Sequence, residues 1–186
     1  MNGGKGMPKG GVSPDADLRS DICSDISALI DRYSDMVYHL CIINMKHQYD
    51  AEDAYQDVFL KLHLKLNNKD DTDPFENEEH IKAWLIRVTI NQCKTMKNTA
   101  SRRNDVQLDE NFISSASDPY HAGIADYILE LPDKYHQVIY LFYYEQYSTN
   151  EIADMLSRSD GAIRTALTRA RKLIKKILER RSKDET

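Results

Sequence analysis

Arginine, lysine and threonine residues near the carboxyl end share one side of a predicted helix. When Ala162 to Leu178 are placed at steps of about 100° around a helix axis, the apolar residues fall in one half and the polar residues in the other, with no acid among them. A solvated helix usually alternates the two signs of charge, so this unopposed basic face predicts contact with nucleic acid. The polar half consists of Arg164, Thr165, Thr168, Arg169, Arg171, Lys172, Lys175 and Lys176.

A shorter helix is predicted directly before this one. Ser148 and Glu151 have the spacing of a capping box, and Ser159 can cap the second helix. Two short helices joined by a tight turn, the second with a basic outer face, form the helix-turn-helix of many DNA-binding proteins. We therefore expect the second helix to enter the major groove, where arginine and threonine contact base edges and lysine contacts phosphate. The alternative is a solvated charged surface.

The charge of the 186-residue chain is segregated along its length. The net charge is −5, yet residues 82–103 carry six bases and no acid, whereas residues 12–60 carry ten acids and three bases. Two basic patches separated by acidic segments indicate two DNA-contacting modules and other surfaces that meet a different partner. We expect no enzyme, because the carboxylates lie along an exposed helical face and no glycine-rich phosphate loop occurs.

The cysteine and histidine residues predict neither a disulfide nor a metal site. Cys23, Cys41 and Cys93 are odd in number and lack a CxxC pair, which favours free thiols in a reducing compartment such as the cytoplasm. His39 and His47 flank Cys41 without a fourth ligand, so we expect no metal and no cofactor. No apolar run is long enough for a membrane span, and the amino-terminal residues lack the apolar core of a signal peptide.

The hydrophobic periodicity predicts an all-α fold of two small helical domains joined by a flexible linker. Apolar residues at helical spacing predict three helices in the first domain, and Ser101 to Pro119 is serine-rich, acidic and without period. The three helices are expected at Leu18 to about Asn44, Asp50 to Leu66 and Glu78 to about Thr99. The expected bounds are 1–17 for a flexible leader, 18–100 for the first domain, 101–119 for the linker, 120–181 for the helix-turn-helix domain and 182–186 for a tail.

The second predicted helix, which starts at Asp50, has an acidic outer face. Such a face is usually solvated, but Leu60 lies among the acids, and an exposed apolar residue is a docking signal. Taken alone, the pattern leaves solvent and a basic partner equally open. The face consists of Asp50, Glu52, Asp53, Gln56, Asp57 and Leu60.

Three blocks of the chain resemble the bacterial sigma factors of the sigma-70 family, in the same order. They are DAEDAYQDVFLKL at 50–62, KAWLIRVTINQC at 82–93, and LPDKYHQVIYLFYYEQYSTNEIADML with GAIRTALTRAR at 131–156 and 161–171. Because no extra modules accompany the two domains, the chain is similar to the extracytoplasmic-function (ECF) group. The domains at 18–100 and 120–181 then correspond to sigma regions 2 and 4.

This resemblance implies a role in promoter-specific transcription initiation. The acidic face defined above would dock on the β′ clamp helices of core RNA polymerase, region 4 would meet the β flap, and an anti-sigma factor would control the protein. The −10 promoter element would be held as a single strand by Lys82, Asn91, Lys94, Lys97, Arg102 and Arg103. The −35 element would be recognised by Thr149, Asn150, Arg164, Thr165, Thr168, Arg169, Arg171 and Lys172.

Several positions depart from the family pattern. Thr95 stands where the family often has aspartate, Asn98 lies where an arginine often follows, and Ala166 stands where many relatives have arginine. The preferred −10 sequence therefore stays open. Two alternatives also stay open: a helix-turn-helix regulator that binds DNA without joining polymerase, and a variant that binds polymerase but melts promoters poorly. The first leaves the acidic face and the first basic patch without a role.

Overall fold

The computed structural model describes residues 26–45, 47–68, 75–102 and 128–184, and within them no side chains for 100–102 and 184. These residues form six helices and no strand, which confirms the all-α class. The helices are α1 (Ile26–Asn44), α2 (Gln48–Leu66), α3 (Glu78–Arg102), α4 (Asp133–Tyr143), α5 (Thr149–Leu156) and α6 (Asp160–Asp184).

Helices α1, α2 and α3 pack on one another around apolar residues at helical spacing. Leu40 of α1, Leu62 of α2 and Leu85 of α3 are completely buried, and truncating such a leucine to alanine typically costs about 2–5 kcal/mol of stability. The amino-terminal end of α3 is tied to α1, because the Tyr33 hydroxyl donates to Oε1 of Glu78 over 3.2 Å. This bundle fixes which faces of α2 and α3 reach the surface.

Helices α5 and α6 form the predicted helix-turn-helix, and both caps are present. The Ser148 side chain accepts a hydrogen bond from the backbone N–H of Glu151, and the Glu151 carboxylate accepts from that of Ser148. The Ser159 hydroxyl accepts from the backbone N–H of Ala162 over 3.3 Å. Between the helices, Ser157 adopts a left-handed backbone conformation with φ 52°, which makes the turn tight.

Helix α4 packs against the carboxyl-terminal end of α1, where helical carbonyls lack partners within the helix. Nδ1 of the buried His136 lies 2.7 Å from the Ile43 carbonyl oxygen, and its Nε2 lies 2.7 Å from the Leu131 carbonyl oxygen. The Gln137 amide donates to Oδ1 of Asn44 over 2.6 Å. Side chains of α4 therefore satisfy polar groups at the end of α1, and the two groups of helices are in contact.

The predicted segment bounds differ slightly from the observed helix ends. Helix α3 continues to Arg102 and α6 continues to Asp184, past the expected bounds at 100 and 181, because no glycine or proline interrupts either stretch. The predicted leader, most of the linker and Cys23 lie outside the described residues. Cys41 and Cys93 are free and buried. No described helix is long and apolar enough to cross a bilayer.

The Tyr140 hydroxyl links stability to alkaline pH. Burial first, and then the charge of Glu145, raises the pKa of Tyr140 above its ordinary value. The neutral phenol therefore stabilises the folded state fully below about pH 10, the ordinary tyrosine pKa, and this contribution is lost as the pH rises toward the folded-state value. We expect the free energy of unfolding, measured by urea titration, to fall as the pH rises above about 10. The fall should be less steep in Tyr140→Phe.

The control for this prediction is Tyr49→Phe, because Tyr49 is exposed on α2. Its alkaline slope is expected to match that of the wild type. Equal slopes in Tyr140→Phe and the wild type would contradict the assignment.

Candidate functional site

Helix α6 is seated on α4 and α5 by one buried stripe. Ile163, Leu167 and Ala170 are buried, whereas Arg164 and Lys172 on the opposite side are exposed. The predicted separation into an apolar and a polar half therefore holds in the folded chain. The basic half is not unopposed, however, because Asp160 pairs with Arg164 and Glu179 pairs with Lys175, each four residues away on the same helix. The exposed residues of the predicted set on this helix are Arg164, Thr165, Thr168, Arg169, Arg171 and Lys172.

The two threonines of α6 use their hydroxyl protons within the helix. Thr165 Oγ1 donates to the Gly161 carbonyl over 2.8 Å, and Thr168 Oγ1 donates to the Arg164 carbonyl over 2.9 Å. A hydroxyl that has donated its proton still has acceptor capacity. With these bonds kept, the two threonines can accept from the amino groups of adenine or cytosine in the major groove.

One edge of the exposed face is bordered by aromatic rings from α4. Arg171 Nε donates to the Tyr143 hydroxyl over 2.7 Å, and its guanidinium lies 5.5 Å from the Phe142 ring centroid and 5.7 Å from that of Tyr143. These contacts orient Arg171, and its remaining N–H groups are available to an acceptor.

The other edge contains a basic pocket of about 360 Å³ between the start of α4, the turn after α5 and α6. Lys134, Arg158 and Arg169 line it, and none of the described lining residues is acidic. Sequence reasoning missed Lys134 and Arg158, although both are bases that stand next to predicted helix starts. Ala166 is buried and also lines the pocket, so the departure from the family arginine affects the pocket wall.

The residues of α3 predicted for one DNA site are divided between two faces. Asn91 and Lys94 are exposed on the outer face, together with Arg87, which the prediction omitted. Lys82 and Lys97 form ion pairs instead, with Nζ–carboxylate distances of 3.1 Å to Glu145 and 3.5 Å to Asp133. The side chain of Arg102 and all of Arg103 lie outside what the structure describes.

Two acids of the α2 face are tied to neighbouring side chains. Glu52 Oε1 accepts from the Gln48 amide over 2.8 Å, and Asp57 Oδ2 accepts from the Gln92 amide of α3 over 2.5 Å. Both are half-buried, as is Asp50, whereas Asp53 is exposed. The most accessible negative charge of the predicted face is therefore that of Asp53.

Apolar side chains accompany Asp53 on the outer side of α2. Tyr49, Leu60 and Leu64 are 79%, 56% and 61% exposed, and they lie along one side of the helix with Asp53 and Gln56. These five residues are called the α2 stripe below. Sequence reasoning identified Leu60 but missed Tyr49 and Leu64, whose spacing of four and eleven residues from Asp53 was the available signal. An exposed apolar row of this kind is typical of a docking surface.

Two family models match the chain over these helices. A model described as Sigma-70 region 2 matches residues 29–103, and one described as Sigma-70, region 4 matches residues 121–174. The chain belongs to the sigma-70 family. Helices α1–α3 thus lie in region 2 and α4–α6 in region 4, so the chain is a sigma factor that directs promoter-specific transcription initiation.

Similar proteins support the ECF group within this family. The chain is 26% identical over 170 residues to the ECF RNA polymerase sigma factor SigW of Bacillus subtilis, with 81% of this chain and 87% of that protein covered. It is 23% identical over 170 residues to the ECF RNA polymerase sigma factor SigM of the same organism, with 86% and 99% covered.

A solved structure shows the same fold. It is the sigma factor RpoE in complex with the anti-sigma factor NepR from Bartonella quintana, with a TM-score of 0.60 and 17% identity. The match covers 82% of this chain and 96% of that one.

Region 4 of this sigma factor gathers the predicted −35 residues more completely than region 2 gathers the −10 residues. Thr149 and Asn150 occupy the first turn of α5, and the six predicted residues of α6 are exposed. In region 2, only Asn91 and Lys94 of the predicted set are exposed on the outer face of α3 among the side chains that the structure describes. The predicted −35 residues of α6 are therefore all exposed, whereas two of the four predicted −10 residues with described side chains, Lys82 and Lys97, are held in ion pairs.

Proposed function

We propose that this ECF sigma factor binds core RNA polymerase through the α2 stripe, holds the −10 element along α3 and recognises the −35 element with α6. The observation that carries the proposal is that both region 2 and region 4 are present, with the α2 stripe and the basic face of α6 at the surface. A regulator that acts without polymerase would need only region 4. The family acts by binding, so the chain is not an enzyme.

In the proposed −35 complex, the exposed face of α6 lies in the major groove. Arg164 and Arg169 are suited to guanine edges, while the two threonines accept from base amino groups. Arg171 on one edge and the pocket residues Lys134 and Arg158 on the other edge are placed to meet the two phosphate backbones that border the groove. Thr149, Asn150 and Lys172 complete the backbone contacts. Region 4 thereby combines base contacts at the centre of the face with charge at both edges.

In the proposed −10 complex, the single strand follows α3. Asn91, Lys94 and Arg87 of the outer face contact the bases and the strand backbone, and Lys82 and Lys97 add phosphate contacts once they are released from their carboxylate partners. Arg102 and Arg103 are assigned from the family resemblance alone. Stacking and phosphate attraction are the usual sources of affinity for single strands.

We further propose the β′ clamp helices and the β flap as the polymerase contacts, an anti-sigma factor as a regulatory partner and the cytoplasm as the compartment. The similarity to a sigma factor that was solved with an anti-sigma factor motivates the second partner. The α2 stripe combines negative charge with exposed apolar side chains, which suits a basic and apolar helical partner.

Run-off transcription with core RNA polymerase on a promoter library tests the function. Transcripts that depend on the added chain are expected to share one −35 and one −10 sequence. A chain that binds duplexes of that −35 sequence but yields no transcript with any core polymerase would favour the regulator that acts without polymerase.

The basic pocket predicts a contact with a DNA phosphate at the edge of the α6 face, beside the bases that α6 recognises. Arg158→Ala is expected to weaken binding of the selected −35 duplex and to lower the slope of log affinity against log salt by about one unit, because one released counterion is lost. Fluorescence anisotropy at several salt concentrations measures both quantities. Replacing the contacted phosphate by a neutral methylphosphonate should weaken the wild type but not Arg158→Ala.

The matched control is Arg87→Ala, which removes the same charge from region 2. It should leave the affinity and the salt slope for the −35 duplex unchanged. A salt slope in Arg158→Ala equal to that of the wild type would remove Arg158 from the interface.

A further inference from the structure

Lys82 of region 2 is enclosed by residues of region 4. Its Nζ lies 3.1 Å from Oε2 of Glu145, and the two side chains are only 25% and 13% exposed. The same Nζ lies 5.2 Å from the ring centroid of Tyr147. Charged groups that are partly removed from water in this way need a partner, and Glu145 supplies it from outside region 2.

A second lysine of α3 also pairs with region 4, but at a more exposed position, where the Lys97 and Asp133 side chains are 35% and 65% exposed. Nζ of Lys97 lies 3.5 Å from Oδ2 of Asp133, in the first turn of α4. Because Lys82 and Lys97 are fifteen residues apart, and an α-helix rises about 1.5 Å per residue, the two pairs are separated by about 22 Å along α3. Region 4 therefore contacts α3 at two points about four turns apart.

Hydrogen bonds hold the same arrangement at the end of α1. His136 lies against the Ile43 carbonyl, and Gln137 donates to Asn44, whose own amide donates to the Leu40 carbonyl over 2.7 Å. Asn44 and His136 are buried. The contact between the regions thus includes hydrogen bonds at the end of α1 as well as two ion pairs, while the exposed face of α6 takes no part in it.

We propose that region 4 covers region 2 as an autoinhibitory contact in the free sigma factor, with the carboxylates of Asp133 and Glu145 in the places of −10 strand phosphates. Carboxylate and phosphate oxygens are alternative acceptors for a lysine ammonium group, so neither lysine serves both partners at once. The contact leaves −35 recognition accessible and weakens −10 capture until the regions separate, because Lys82 and Lys97 are occupied while Asn91 and Lys94 stay exposed. It rests on the proposed role of Lys82 and Lys97 in holding −10 DNA.

The direct test is binding of a single-stranded oligonucleotide with the selected −10 sequence to the full chain without polymerase. The combined variant Glu145→Gln and Asp133→Asn is expected to bind about threefold to tenfold more tightly than the wild type, since partly exposed ion pairs contribute modestly. Binding of the −35 duplex is expected to stay unchanged. Adding Lys82→Ala to the combined variant should abolish most of the gain.

A charge-matched control excludes a general electrostatic effect. Glu130→Gln with Glu179→Gln also removes two negative charges from region 4, but these carboxylates pair with Arg180, Arg181 and Lys175 within region 4. This control should bind the oligonucleotide as the wild type does. An equal gain in the control and in the combined variant would overturn the inference.

A second variant tests the closure without altering charge. Gln137→Ala removes the bond to Asn44 and is expected to increase both the radius of gyration, measured by X-ray scattering, and the affinity for the −10 oligonucleotide. Expansion without a gain in affinity would overturn the inhibitory role.

With core polymerase, the combined Glu145→Gln and Asp133→Asn variant should support run-off transcription as the wild type does. If the wild type itself gives no transcript with core polymerase, the result contradicts the proposed sigma-factor function and not the autoinhibitory contact.

Discussion

Asp53→Lys is expected to weaken binding of the chain to core RNA polymerase by about 2–5 kcal/mol, the usual cost of disrupting a desolvated charged contact. Asp53 is exposed on the α2 stripe, so the substitution reverses charge on the proposed docking surface without removing a contact of the region 2 core. Affinity for labelled core polymerase, measured by anisotropy or by competition with a second sigma factor, reports the effect. Binding of the −35 duplex by region 4 should not change.

Asp57 is a less suitable position for this test. Its carboxylate accepts from the Gln92 amide, and the Lys61 ammonium group donates to the same Gln92 side chain. Reversing the charge at Asp57 would therefore disturb the packing of α2 on α3 as well as the outer face. Asp53 and Asp57 belong to the same predicted set, but only Asp53 separates docking from folding.

Glu76→Lys is the matched control, because Glu76 is an exposed acid of region 2 that lies before α3 and outside the α2 stripe. It is expected to leave polymerase affinity unchanged. If Asp53→Lys and Glu76→Lys bind polymerase equally well, the α2 stripe is not the docking surface.

Local chemistry explains which parts of the fold could be predicted from the sequence. The capping box at Ser148 depends on residues three positions apart, and the two halves of α6 follow from helical periodicity, so both are set within a short segment. The first two helices of region 2 were predicted in the same way. Their observed ends lie at or near the last apolar residue of each pattern, at Asn44 and Leu66.

The rest depends on contacts between residues that are far apart in the chain. Lys82 and Lys97 have the same residue type as Lys94, and nothing in their sequence neighbourhood indicates that Glu145 and Asp133 bind them. Only the packing of α4 against α1 brings these acids to α3. The pocket residues Lys134 and Arg158 could not be predicted for the same reason, since neither lies on the basic face of α6.

The second large effect is expected at Arg164. Its side chain is 67% exposed, and its Nε lies 2.8 Å from Oδ2 of Asp160 in the first turn of α6. Asp160 fixes the direction of the guanidinium on the free protein, and DNA binding must draw the remaining N–H groups toward a base edge. Arg164→Ala is expected to cost about 1–3 kcal/mol of −35 affinity and to relax the preference at one base pair.

Lys175 provides the comparison on the same helix. It lies eleven residues after Arg164, on the same side of α6, and its Nζ is 3.8 Å from Oε1 of Glu179. In the proposed complex, the helix leaves the base edges three turns beyond Arg164, because the amino-terminal part of a recognition helix enters the groove. Lys175→Ala should therefore weaken all sequences alike and lower the salt slope by about one unit.

Binding-site selection with both variants at two salt concentrations distinguishes a base contact from a phosphate contact. Neither residue belongs to the buried stripe of α6, so helix content and thermal unfolding should match the wild type in both variants. Lost preference at one position in Arg164→Ala, with the full preference kept in Lys175→Ala, places the amino-terminal turns of α6 at the bases. The opposite result, in which Lys175→Ala changes the selected sequence and Arg164→Ala does not, would mean that α6 lies in the groove in the reverse direction.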